Sequence, residues 1–100
     1  MDKAELIDKL TKYRSLLAGH FDLDCLILYG SYAKGTQREE SDIDVAVIVN
    51  SIKGDFFTYA PLLWKLRREV DDRIEPILID KNDDVSGFLK EIQKTGLVIN

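Results

Sequence analysis

Apolar residues recur at three- and four-residue spacing from the start of the chain. Leu6, Ile7, Leu10, Tyr13 and Leu17 fall on one face of a helix predicted over residues 2–18. Asp2, with Glu5 three positions later, supplies a capping box, and Gly19 a stop. The pattern then changes. Cys25-Leu26-Ile27-Leu28-Tyr29 is a short apolar run ending at Gly30-Ser31, and it predicts a buried strand. Residues 31–36 have room for one helical turn, and Gln37 to Ser41 form a polar loop. Ile43 to Val49 is rich in β-branched side chains and predicts a central strand. Asn50 to Asp55 is a connection turning at Gly54.

Phe56, Tyr59, Leu63, Leu66 and Val70 predict a second long helix over residues 56–71, with Pro61 in its first turn or at its start. Ile74 to Ile79 predicts a third strand, either at an edge or with an irregular start, because Pro76 lacks an N–H for the ladder. Asp83 to Thr95 predicts a third long helix with Val85, Phe88, Leu89 and Ile92 inward and Gly96 at its end. Gly87 weakens it by about 1 kcal/mol. Leu97-Val98-Ile99 either extends the sheet or forms a docking surface. The order helix–strand–turn–strand–helix–strand–helix predicts an α/β (α+β) domain, two or three layers deep. Its small mixed β-sheet is flanked by helices and takes in residues 1–100 as one unit.

Composition narrows the classes. With 45% apolar, 9% aromatic and 32% charged residues in 100, the chain reads as globular, with a thin core. Fourteen basic against eighteen acidic residues give a net charge of −4, which speaks against direct nucleic-acid binding. Cys25 is alone, so a disulfide framework and a zinc ribbon are excluded. No apolar run approaches the ~20 residues needed to span a bilayer, and the N-terminus does not read as a signal peptide. A cytoplasmic, reducing setting without a membrane partner is expected.

The chemistry concentrates in Gly30-Ser31-Tyr32-Ala33-Lys34-Gly35-Thr36 and in Ser41-Asp42-Ile43-Asp44. Gly30 lets a backbone approach a ligand without an intervening Cβ. Ser31 opens a helical turn, whose free N–H groups favour phosphate. Asp42 and Asp44 lie two apart in an extended segment, so both side chains share a face, roughly 6–7 Å apart along the strand. Two carboxylates about 5 Å apart repel by roughly 3 kcal/mol at an effective dielectric near 20. A divalent cation removes that penalty, and hard oxygen ligands suit Mg²⁺. A phosphate cradle beside paired carboxylates equips a chain for metal-assisted nucleotidyl transfer.

Gly-Ser, ten residues, then Asp-x-Asp is the signature of the DNA-polymerase-beta-like nucleotidyltransferases. In Gly30-Ser31, Asp42-Ile43-Asp44, Gly35 and Ser41 the chain resembles the minimal nucleotidyltransferase (MNT) domains of that superfamily, of the MntA-like antitoxin type. The resemblance extends over nearly all its length. It implies the polymerase-beta-like fold and two Mg²⁺ ions held by Asp42, Asp44 and Glu75. Glu75 would also take the proton from the attacking hydroxyl. Many relatives have Asp at that position, and Asp72 is the alternative third carboxylate if the register shifts. Gly30, Ser31, Lys34 and Ser41 are the implied nucleotide-binding residues, with Lys34 where many relatives have Arg. A lysine steers phosphate only as a point charge.

The same resemblance implies ATP as substrate and a HEPN-domain toxin as partner, in a homo- or hetero-oligomer. The activity would be transfer of AMP to a tyrosine hydroxyl of the toxin. Larger relatives carry a helical acceptor domain after the third-carboxylate strand, and little of this chain follows Glu75. Two other functions compete: a non-catalytic nucleotide-binding module that neutralises its partner by occlusion, and transfer to a small molecule or nucleic acid with a partner subunit. Several residues read as ordinary structure. Lys34 and Arg38 are solvated, Tyr29 and Cys25 are core, His20 is on the surface, and the Trp64 cluster is core with a face for a partner. Tyr32 is a candidate base contact.

Overall fold

The computed structural model describes residues 1–52, 56–83 and 87–99. Helix α1 spans Lys3–Ala18, and the Asp2 carboxylate accepts the Glu5 backbone N–H at 2.8 Å, so the expected cap forms. Leu6, Leu10, Tyr13 and Leu17 are buried on its inner face. Strand β1 runs Leu23–Tyr29, starting two residues earlier than the apolar run, because a bulge between Leu23 and Cys25 lets the polar Asp24 join it. The single turn α2 is Ser31–Lys34, and β2 is Ile43–Val49 as expected.

Helix α3 spans Phe56–Arg67, so Pro61 is its sixth residue rather than part of its first turn. The helix also stops four residues short of the expected 71. There Arg67 Nη1 donates to the carbonyls of Asp72 (2.6 Å) and Ile74 (2.9 Å), closing a tight turn into the next strand. Strand β3 is Ile74–Asp80. Helix α4 is Phe88–Thr95 and begins five residues later than the expected Asp83, because Gly87 adopts φ +74° and cannot be a helical position. Strand β4, Leu97–Ile99, pairs antiparallel with β1, which settles the alternatives for that segment in favour of the sheet. Gly54, Val85 and the Phe56 side chain lie outside the described residues.

The four strands form one mixed sheet in the order β3-β2-β1-β4. β1 and β2 are antiparallel, whereas β2 and β3 run parallel across the α3 crossover. Pro76 sits on β3 at the sheet edge, as its missing donor requires. Alternation along β2 divides the core. Ile43, Val45, Val47 and Val49 join α1, α3 and Ile74 on one face. Ala46 and Ile48 join Ile27, Leu89 and Ile92 on the other. The result is three layers: α1 and α3, the sheet, then α4.

Two polar devices tie α1 to the rest. Buried Tyr13 donates its hydroxyl to the Leu63 carbonyl at 2.8 Å, fastening α1 to α3. Burial pushes that phenol well above its ordinary range. Asp71, at the entry to β3, accepts from Lys9 Nζ (2.9 Å) and Arg73 Nη2 (2.8 Å). Those cationic partners, Arg73 foremost, hold its carboxyl well below the usual carboxylate range. Trp64 is 39% exposed, with the Arg67 guanidinium 4.5 Å over its ring, so it lies on the surface instead of the core. Cys25 is half-buried and His20 exposed. No helix among the described residues is long and apolar enough to cross a membrane.

Candidate active site

The pairing register decides which side chains meet. Asp44 on β2 is aligned with Tyr29 of β1 on one side and with Glu75 of β3 on the other. Directly aligned residues of adjacent strands point to the same face. Tyr29, Asp44 and Glu75 therefore form one row across three strands, on the face opposite α1 and α3. Asp42, two residues before Asp44, falls on the same face by alternation. Asp72 does not belong to this row. It is exposed in the turn before β3, and its carbonyl is held by Arg67.

The bend after β1 is built against this row. Gly30 has φ +74° and ψ −150°, a combination essentially confined to glycine. A Cβ there would collide with the Asp44 carboxylate, reaching Oδ2 and lying 3.2 Å from Cγ. Glycine thus serves twice, for conformation and for close approach. Ser31 follows as the first residue of α2, and Gly35, also at φ +74°, ends that turn with its N–H bonded to the Ser31 carbonyl. Ser31 is half-buried and Lys34 exposed.

Ser41 holds its own loop: its hydroxyl accepts the Arg38 N–H at 2.7 Å, and its N–H returns to the Arg38 carbonyl at 3.0 Å. Tyr32, half-buried, lines a groove with Arg38 and Arg73.

Electrostatics mark Asp44 as the strained member. Burial first, then the neighbouring Asp42 carboxylate, pushes its carboxyl up from the ordinary value. Tyr29 is also raised, by burial and then by Asp44 and Glu75, so its ring lies within the field of both acids. Reading Tyr29 as core missed this. The available signal was its place beside Gly30, one strand over from Asp44. Among the described residues no three acidic, histidine or cysteine side chains converge into a ready metal cage. Mg²⁺ does not require one, since it binds through one or two carboxylates with retained water and substrate phosphates. Paired hard oxygens at Asp42 and Asp44, with Glu75 alongside, fit such an ion.

The chain is similar in sequence and fold to known proteins. A protein of Methanocaldococcus jannaschii provisionally named a protein adenylyltransferase is 32% identical over 79 residues, 77% of this chain and 79% of its own. Another from the same organism, with the same provisional name, is 41% identical over 44 residues, and there the match spans only 44% of that protein's length. Among solved structures, a toxin–antitoxin complex with AMP-PNP superposes with a TM-score of 0.66 at 26% identity, covering 94% of this chain and 72% of that one. A provisionally named nucleotidyltransferase from Sulfolobus solfataricus shares the fold, with a TM-score of 0.69 at 18% identity over 98% of this chain and 87% of its own. Residues 11–100 match the family model described as polymerase beta, nucleotidyltransferase, and the chain belongs to that family.

Proposed function

We propose that the chain is a Mg²⁺-dependent enzyme that transfers AMP from ATP to a protein hydroxyl. The acceptor is a tyrosine of a partner HEPN toxin, for which the chain is the cytoplasmic antitoxin. The observation that carries this reading is the alignment of Asp44 with Glu75, on the face that also takes Asp42, with the Gly30 bend packed against Asp44. The relatives named as protein adenylyltransferases and the similar toxin–antitoxin complex support the acceptor class and the partner.

In this mechanism Asp42, Asp44 and Glu75 would hold two Mg²⁺ ions, which would supply charge neutralisation for the triphosphate and the leaving pyrophosphate. Ser31, at the start of α2, and the Lys34 ammonium orient the phosphates. Ser41 keeps the loop before Asp42 in place. Glu75 accepts the proton of the acceptor hydroxyl as its oxygen attacks the α-phosphorus. The bond from the α-phosphorus to the bridging oxygen breaks, pyrophosphate departs, and AMP remains on the acceptor.

The test is incubation of the chain with its co-expressed partner, Mg²⁺ and labelled ATP, followed by intact mass measurement. The partner should gain AMP, and should not when Mg²⁺ is chelated. The competing reading is a nucleotide-binding module that neutralises its partner by occlusion. On that reading the partner is silenced with no gain of mass.

A further inference from the structure

The acid-bearing face of the sheet is only partly covered. Behind the row Tyr29–Asp44–Glu75 comes the row Ile27–Ala46–Ile77. Leu89 and Ile92 of α4 pack with Ile27, Ala46 and Ile48, so the helix roofs this second row and the one beyond it. The first residue of α4, Phe88, stands at the border. Its ring centroid lies 5.4 Å from that of Tyr29, the two planes cross at 86°, and the residue remains 36% exposed. A partly exposed aromatic residue thus flanks the acid row at the point where the helical roof begins.

A ligand seated over the acid row has the Gly30–Ser31 bend on one flank and Phe88 on another. Its triphosphate is the part drawn to the carboxylate-bound cations and the bend. The base is the planar, weakly hydrated part, for which an aromatic ring is the matching surface. We propose that Phe88 is a stacking platform for the base of the nucleoside triphosphate, and so a substrate-binding residue. This rests on the nucleotide reading of the same site. Stacking uses the π-face that every base possesses, so Phe88 supplies affinity for nucleotides over bare phosphates and little choice between adenine and guanine.

The experiment titrates the full chain, in Mg²⁺, with AMP-PNP and separately with inorganic tripolyphosphate, which has no base. Phe88→Ala should weaken AMP-PNP binding about tenfold or more and leave tripolyphosphate binding unchanged. Phe88→Leu keeps apolar packing against Tyr29 and should show the same selective loss. Phe88→Trp should retain the affinity. Should Phe88→Leu bind AMP-PNP as wild type does, or lose both ligands equally, the platform is overturned while the nucleotide reading stands. If the wild-type chain binds neither ligand, the nucleotide reading fails and takes this proposal with it.

Discussion

An Asp44→Asn variant will lose nucleotidyl transfer by about a thousandfold or more and yet melt no lower than the wild type. The loss follows from removing one of the paired anionic oxygens: a catalytic metal contributes several kcal/mol, and about 4 kcal/mol corresponds to a thousandfold. The stability result follows from the same electrostatics. Asp44 has its carboxyl raised in the folded chain, by burial and by Asp42. A raised acid favours folding while it is protonated, below its unfolded value of about 3.9, and loses that contribution as pH rises through the folded value. At neutral pH the ionised Asp44 therefore weakens the fold, and the isosteric amide removes the strain. The melting temperature of Asp44→Asn should equal or exceed that of wild type at pH 7, with the difference shrinking below about pH 4. A melting temperature well below wild type at pH 7 would mean that Asp44 is a structural residue.

Gly30→Ala should lose both stability and activity, for separable reasons. The φ +74°, ψ −150° backbone of Gly30 imposes about 1–3 kcal/mol of strain on a residue with a Cβ. Each kcal/mol lowers the melting temperature of so small a domain by about 4–8 °C. Gly35→Ala provides a partial reference, because Gly35 also has φ +74°, though with ψ 16° in the milder left-handed helical region, and has open space around its missing Cβ. At Gly30 the added methyl must also displace the Asp44 carboxylate. A misplacement of about 1 Å in an active site reduces the rate about a hundredfold. The expected result is a larger melting shift for Gly30→Ala than for Gly35→Ala, together with a hundredfold drop in transfer. Equal melting shifts with full activity at Gly30 would show that the bend and Asp44 are not mechanically linked.

The frame of the site could be read directly from the chain. β2 was legible to the residue, because an unbroken β-branched run leaves no competing periodicity. Asp42 and Asp44 share a face by alternation alone. The third acid was harder. Glu75 and Asp72 are distinguished only by the β2–β3 register, a long-range property that no local pattern encodes. The helix ends were misjudged where backbone and turn chemistry overrode apolar spacing. Gly87 delays α4, and Arg67 terminates α3 by bonding the Asp72 carbonyl in the following turn and the Ile74 carbonyl at the start of β3. Those shifts matter for the site, since the late start of α4 leaves Phe88 at the border of the acid row when its spacing predicted burial. Trp64 went the same way, because an aromatic among leucines reads as core until its neighbours are placed.

The most direct test of the central claim is a crystal structure of the chain with a non-hydrolysable ATP analogue and Mg²⁺. The account predicts a cation on Asp42 and Asp44, with the triphosphate lying along the Gly30–Ser31 bend and Glu75 facing the α-phosphorus. A nucleotide seated elsewhere, with these carboxylates free of metal, would contradict it.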